Sequence, residues 1–461
     1  MASRSNARSA TGKSAGKLFP ALKASDASFE ESWQALCARR VVDTVAADKD
    51  VLKILRRVRD GGDDALLALV KKSTGAKPEA LEVAREEWDD GCEQVAPADR
   101  AALGKAAMRV REFHRKRIPS SWEMKEEGGA FLGHKVRPLD RVGIFTCADD
   151  RRSPSRVVMN TTPASVVEVP EIVLATPPGP DGCITPKILM AARVAGVHRV
   201  FKMGGAEAIA ALAYGTPSVP AVDKILGHGG AVVAAAKAAL FGVVDLDGPG
   251  GPGEVCIVAD RSATPAWLAA DLISQAEQDP KSRVLLITHT KALVARVKEQ
   301  LEKQLKSLPR GKVAKTALAG GALVLTRNLE ESITLANRYA PEHLVLAVED
   351  PESVVKLVLN AGLILVGHYT PIAAGDYLAG PNSVLPTGGT ARFHSPLGVE
   401  DFLKRTSFVR FDPPKLRELG VEVTRLAELD GLTGHAASVD LRLQKIRRVR
   451  REREAAREAE V

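Results

Sequence analysis

Glu171-Ile172-Val173-Leu174-Ala175-Thr176 sets four apolar side chains in an unbroken row. Such a run is too short for a stable helix and rich in β-branched residues, so it predicts a strand covered on both faces. Similar runs stand at Val142–Phe145, Arg199–Met203, Val255–Ala259, Val284–Thr288, Ala322–Leu325, Leu344–Val348 and Ile364–Val366. Between them lie Ala-rich stretches with helical character, among them Glu207–Tyr214, Ala231–Leu240 and Pro265–Gln278. Continuous apolar strands alternating with helices predict an α/β fold of parallel sheets. Upstream, Val51, Ile54, Leu55 and Val58 fall at helical spacing, and Asp60-Gly61-Gly62-Asp63 ends that helix and caps the next. Ordered structure is expected from near Phe29. Boundary signals are Pro138, the Gly/Pro-rich stretch Asp247–Gly253 and Thr387–Gly389, after which the pattern turns irregular.

A chain of 461 residues predicts two or more domains. With 45% hydrophobic and 26% charged residues it reads as an ordinary soluble protein, and its 4% aromatic content leaves the core to Ala, Val, Leu and Ile. No run approaches the ~18 apolar residues a membrane span needs, so no membrane partner is expected. Five scattered cysteines (Cys37, Cys92, Cys147, Cys183, Cys256) form no C-x-x-C pair, which argues for a reducing compartment and a cytoplasmic location. The first 25 residues carry Arg4, Arg8, Lys13, Lys17 and Lys23 with no acidic residue, as a solvated tail or an organelle transit peptide would. The basic stretch Arg442–Arg453 is flanked and diluted by Glu452, Glu454, Glu458 and Glu460, so no nucleic-acid partner is expected.

Gly248-Pro249-Gly250-Gly251-Pro252-Gly253 satisfies G-x-G-x-x-G. A dinucleotide loop needs a helix after the glycines, whose N-terminus binds the pyrophosphate. Here Glu254-Val255-Cys256-Ile257-Val258 follows and reads as a strand, so a tight crossover between domains is the better reading.

Three segments carry candidate chemistry. Tyr339-Ala340-Pro341-Glu342-His343-Leu344 puts a carboxylate beside an imidazole, after a helix-breaking proline and at a strand mouth, where α/β sheets bind ligands. The run Gly375-Asp376-Tyr377 to Arg392 is a long Gly/Pro-rich loop around one Asp, a type that is usually functional. Ser274-Gln275-Ala276-Glu277-Gln278-Asp279 ends a helix and points Gln275 and Gln278 along one face at i, i+3.

Together these segments resemble histidinol dehydrogenase over roughly Val51 to His435. Further matches are Val158-Met159-Asn160, Ala175-Thr176-Pro177-Pro178, Ala213-Tyr214-Gly215-Thr216, Val222-Asp223-Lys224-Ile225 and Asp430-Gly431-Leu432-Thr433-Gly434-His435. The resemblance implies a homodimer that oxidises a small amino alcohol, L-histidinol, through the aldehyde to L-histidine with two NAD and one zinc ion per subunit. It implies two incomplete Rossmann-like domains, 26–140 with 254–389 and 141–253. A swapped dimerisation segment at 390–438 would follow, with a disordered basic tail at 1–25 and a charged helical tail at 439–461. It makes His343 the general base and Glu342 the group that activates water. The implied zinc ligands are Gln275, Gln278, Asp376 and His435, the last from the partner subunit. The implied substrate contacts are these four with Gly253, His343 and Asp430, and the implied NAD contacts are Phe145, Glu207 and Gly230.

The chain departs from the family at several of these positions. Gln278 replaces a His ligand, and zinc prefers nitrogen or sulfur donors, so weak zinc is expected. Ser383 replaces a His, Gly253 a Ser, Asp430 a Glu and Ile372 a Glu. On the cofactor side Phe145 replaces a Tyr, Glu207 a Gln, Gly230 an Asn and His228 a Pro, while Cys147-Ala148-Asp149 replaces a P-G-G turn. A carboxylate at Glu207 would repel a phosphate-bearing ligand. Weakened NAD binding is expected, and two alternatives follow: another alcohol as substrate, or a non-catalytic paralogue serving as a binding or regulatory protein.

Overall fold

The computed structural model describes residues 18–38, 49–76, 78–147, 153–248 and 250–459. Its strands are, in chain order, β1 (Ala21–Lys23), β2 (Trp122–Glu126), β3 (Ala130–Pro138), β4 (Arg141–Phe145), β5 (Glu171–Thr176), β6 (Arg199–Lys202), β7 (Lys224–Leu226), β8 (Asp245–Leu246), β9 (Glu254–Ala259), β10 (Arg283–Thr288), β11 (Ala322–Leu325), β12 (His343–Ala347), β13 (Leu363–Val366) and β14 (Leu403–Phe411). They form two parallel sheets, ordered β6-β5-β4-β7-β8 and β1-β11-β10-β9-β12-β13, and a third, β14-β3-β2, that is antiparallel. The α/β reading with two parallel sheets holds.

The two parallel sheets repeat one order. Each runs three strands outward, β4-β5-β6 or β9-β10-β11, then returns to the other side of its first strand with β7-β8 or β12-β13. The reversal leaves a crevice at the carboxyl ends of β4 and β7, and another at those of β9 and β12. In the second crevice Asp260 closes the gap, since its carboxylate accepts from the amide of Glu349 at 2.8 Å.

The two parallel sheets are buried beneath helices. The six-stranded sheet packs the helices Pro265–Ala276 and Lys291–Gln304 on one face and Phe29–Ala38 and Leu329–Tyr339 on the other. On the five-stranded sheet, Lys49–Thr74 packs with Gly205–Tyr214 and Ala231–Ala239. The first of these is two helices meeting at Gly62 (φ 55), as the Gly61-Gly62 pair predicts. No helix among the described residues is long and apolar enough to cross a membrane.

Several boundaries differ from expectation. Leu18 to Lys23 is not tail: Phe19 is buried and β1 adds a strand beside β11, because Ala21 to Lys23 finds an open parallel edge. Residues 49–115 were expected beside 254–389, but Val51, Leu55, Val58, Leu66 and Val70 bury against Phe145 and Phe201 of the five-stranded sheet. Residues 118–138 leave the α/β part altogether. They join Leu403–Val461 as a second compact unit, in which β3 pairs with β14 over nine residues from Leu403↔Pro138 to Phe411↔Ala130. In that unit one helix, Thr433–Ala459, runs through the expected break at 438/439, and the helix Pro413–Leu429 precedes it. Residues 1–17, with most of the basic N-terminal segment, lie outside the described residues, as do Ala148, Asp149 and Pro249.

Candidate active site

The helix Leu329–Tyr339 stops because Ala340 adopts a left-handed conformation (φ 50) and Pro341 cannot continue it. A non-glycine residue there is strained, by about 1–3 kcal/mol, and such strain persists where the surroundings fix it. The clamp is the start of β13: Gly362 and Leu363 donate their amides to the carbonyls of Pro341 and Glu342 at 2.9 and 2.8 Å. Glu342 and His343 are thereby delivered, both buried, to the amino end of β12. The expected strand mouth is therefore the amino end. The carboxyl ends, where parallel sheets ordinarily bind ligands, lie at the other edge of the sheet.

The backbone of one residue outside the motif, Glu254, holds both side chains. The amide of Glu254 donates to Glu342 Oε2 at 2.5 Å, and the carbonyl of Glu254 accepts from His343 Nδ1 at 3.2 Å. This follows from register, since His343 on β12 stands opposite Val255 on β9. A backbone carbonyl only accepts, so Nδ1 carries the proton and Nε2 is left as the basic nitrogen. Nε2 lies buried 3.2 Å from Asp376 Oδ1, outside hydrogen-bond alignment. A lone pair facing a carboxylate is repulsive, so this gap favours a proton. Burial pushes His343 down, but the Asp376 carboxylate and the charge of Glu342 outweigh it and hold the imidazole above its ordinary value. Burial raises Glu342 to about 7, opposed by the charge of His343 and the Glu254 amide.

Gln275 sits in the last turn of the helix Pro265–Ala276, and Gln278 lies just beyond its end. Gln275 is fully buried, and neither its amide nitrogen nor its amide oxygen has a partner. Leaving such a group unsatisfied costs about 1–3 kcal/mol, and both polar atoms of Gln275 are open to a further partner. Both glutamines converge on Gly253, where a Cβ would collide with Gln275 Nε2 and stand 3.5 Å from Gln278 Oε1. Among the described residues no three His, Cys, Asp or Glu side chains gather as a metal cluster. The donors in this unit are two carboxamides and Asp376, which fits a divalent cation but is short of the nitrogen zinc prefers.

The second set of expected residues lies on the carboxyl edge of the five-stranded sheet. Phe145 ends β4 and is buried; Gly230 caps the helix after β7; Glu207 lies in the first turn of the helix after β6. Gly227 (φ 120) comes so close to the Phe145 carbonyl that only glycine fits. The Lys237–Asp247 ion pair braces this turn, with Lys237 Nζ donating to the Gly227 carbonyl at 3.1 Å and Asp247 accepting from the Gly227 amide at 2.7 Å. His228 packs against Gly250, whose Cβ would strike the ring at Cδ2. Helix N-termini and a strand-order reversal meet here, the arrangement that binds dinucleotides in open parallel sheets.

The histidinol dehydrogenase family model matches residues 37–443. The chain belongs to the histidinol dehydrogenase family. It is 44% identical over 422 residues to the histidinol dehydrogenase of Syntrophotalea carbinolica, covering 91% of this chain and 98% of that protein. It is 42% identical to that of Nitrosomonas europaea, covering 92% and 99%. A crystal structure of histidinol dehydrogenase from Elizabethkingia anophelis superposes with a TM-score of 0.88 at 31% identity, covering 93% of this chain and 99% of that one. Nothing in these relationships favours a non-catalytic or re-purposed paralogue.

Two further residues expected from the histidinol dehydrogenase family lie in the second unit. Asp430 caps the helix Pro413–Leu429 and His435 opens the next, and both line a groove with Val423, Leu426, Leu432 and Ser438. Ile372 is buried in the short helix that carries Asp376. Ser383 follows Asn382, whose amide donates to the Met159 carbonyl at 2.7 Å. The residue that sequence reasoning missed is Glu254. Its only signal was an acidic residue set directly before the continuous apolar run of β9.

Proposed function

We propose that Glu342 and His343 carry the oxidation of L-histidinol, through L-histidinal, to L-histidine, the last steps of histidine biosynthesis. Family membership makes the chain an NAD-dependent dehydrogenase of this type. The observation that supports the roles is the Glu254 backbone, which leaves His343 Nε2 as a base and points it at Asp376.

His343 Nε2 takes the hydroxyl proton as hydride leaves the carbinol carbon, and the resulting imidazolium is stabilised by Asp376. Proton removal by a positioned base contributes about 10²–10⁴-fold. Glu342, poised near neutrality, takes a proton from the water that adds to the aldehyde. Once His343 has passed its proton to solvent, the hydrate gives up its one carbon-bound hydride, with His343 again as base. Two NAD molecules, bound in turn, would each accept one hydride, with Phe145, Glu207 and Gly230 as the positions proposed to border their crevice. A zinc ion held by Gln275, Gln278, Asp376 and a partner copy's residue at 435 would polarise the substrate hydroxyl. Gly253 would border the amino alcohol, with Asp430 supplied by the exchanged segment of a second copy. The ammonium suits this carboxylate-rich pocket.

The groove around His435 and the exposed apolar residues of the second unit support a homodimer in which residues 390–438 are exchanged. We place the reaction in the cytoplasm, since the five cysteines are scattered, odd in number and form no C-x-x-C pair. Incubation of the purified chain with L-histidinol and NAD tests the assignment: two NADH and one histidine are expected per histidinol. NADH formation that is absent, or unchanged in His343→Ala, would overturn it.

A further inference from the structure

The helix Pro154–Val166 carries a proline in its interior, Pro163. Proline has no amide hydrogen, so the carbonyl four residues back, that of Met159, has no helical donor. Met159 is fully buried, where an unpaired carbonyl is costly. The donor comes from 223 residues along the chain: Asn382 Nδ2 donates to the Met159 carbonyl at 2.7 Å. The other end of the carboxamide is engaged as well, since Asn382 Oδ1 accepts from the Val384 amide at 2.8 Å. One partner only accepts and the other only donates, which fixes the orientation of the carboxamide. Asn382 is 1% exposed, and neither Met159 nor Val384 is among the positions expected to touch substrate, zinc or NAD. The side chain ties the loop to the helix.

The loop so tied continues into Leu385 and Pro386, which lie on Gly362. A Cβ at Gly362 would come within 3.3 Å of Leu385 Cβ, 3.1 Å of Pro386 Cδ and 2.6 Å of the Glu342 carbonyl oxygen. Gly362 and Leu363 are the residues whose amides hold the carbonyls of Pro341 and Glu342. The loop therefore stands behind the clamp that delivers the catalytic pair. We propose that Asn382 is a positioning residue for Glu342 and His343: it takes up the carbonyl that Pro163 leaves without a donor, and so seats Leu385 and Pro386 on Gly362. The inference rests on the functional reading above for what the pair does. Close packing transmits the tie, because Leu385 is buried and Gly362 has no side chain to yield.

Four full-length proteins test this: the unaltered chain, Asn382→Ala, Leu385→Ala and the double variant. Circular dichroism and melting confirm that each is folded at the assay temperature. If Asn382→Ala does not fold, Asn382→Asp replaces it, keeping the acceptor for Val384 and losing the donor. Each single change should lower kcat for L-histidinol at least tenfold, with KM for NAD within twofold. The double variant should fall no further than the weaker single variant, because both changes break one chain of contacts. An unchanged kcat in folded Asn382→Ala would leave Asn382 a stabilising residue only and overturns the proposal. Losses that multiply in the double variant overturn it too. If the unaltered chain does not oxidise histidinol, the functional reading falls, and hydrogen exchange at the Gly362 and Leu363 amides decides the inference. Exchange at least tenfold faster in Asn382→Ala supports it, and unchanged protection overturns it.

Discussion

Ser73 Oγ donates to Glu207 Oε1 at 2.6 Å, and this bond holds the buried carboxylate against Gly205, the first residue of the helix after β6. The positive end of that helix is already satisfied by a charge from its own chain. A dinucleotide phosphate approaching this edge meets an anion instead of free amides. Glu207→Gln removes the charge and keeps the shape. NAD affinity measured by calorimetry should tighten by about tenfold or more, since interactions with charged buried groups run to ~1–3 kcal/mol and 1.4 kcal/mol is tenfold. Adding Phe145→Tyr and Gly230→Asn should tighten it further. Unchanged affinity in Glu207→Gln would show that the carboxylate lies off the cofactor path.

The buried pair sets the pH dependence. Glu342 acts as a base only when ionised, and burial raises it to about 7; His343 is held above its ordinary value and acts as a base only when neutral. Aldehyde oxidation should therefore rise with pH through about 7 and fall away in acid. A profile flat between pH 6 and 9 would contradict this assignment.

Stability should move the other way. A carboxyl raised in the folded state contributes stability that is full below its ordinary value of 4.5 and is lost as pH climbs to about 7. Glu342→Gln cannot ionise, so its Tm should exceed that of the unaltered chain at pH 8, with the gain disappearing near pH 4.5. Activity should be lost with it, the usual exchange at a destabilised site. Equal Tm values at pH 8 would mean that the ionised carboxylate is not costly where it is buried.

With Gln278 and Gln275 as carboxamide donors, zinc should leave on dialysis against a mild chelator. Gln278→His, which supplies a nitrogen ligand, should retain it, read by metal analysis after dialysis. Full zinc retention by the unaltered chain would mean that other donors complete its coordination.

The second unit exposes Val421, Leu426, Leu429 and Leu441 on its helices and Trp122 and Val409 on its sheet. That much apolar surface favours a partner. Sedimentation should give twice the 49.1 kDa chain mass, and Leu426→Glu with Leu429→Glu should shift it toward one chain. A stable monomer at micromolar concentration in the unaltered chain would exclude the exchanged dimer.

The parallel sheets were legible because a strand buried on both faces writes itself as an unbroken apolar run, as in Ile172-Val173-Leu174-Ala175. The antiparallel sheet was not. Its strand β14 is exposed along almost its whole length, so Lys404-Arg405-Thr406-Ser407 has the composition of a loop, and its partner β3 lies more than 260 residues earlier. β1 is three residues long and carries no period at all. Of the site, Glu342 and His343 could be read because they are contiguous. Glu254 could not, because its part is played by backbone atoms and depends on how β9 registers with β12. The packing of Lys49–Thr74 on the five-stranded sheet was likewise hidden, since an amphipathic helix shows that it has a partner without naming it.

Because the Glu254 backbone, and not its side chain, grips the catalytic pair, an alanine scan would pass over it. Every ordinary substitution at 254 leaves the N–H and C=O in place. Only proline, which deletes the donor, would cut the bond to Glu342. This contact can thus survive extensive drift in the residues around it, so long as no insertion or deletion shifts the strand. Among descendants of one ancestor, catalytic geometry would outlast changes in ligand preference, and the vulnerable mutations would be shifts in length.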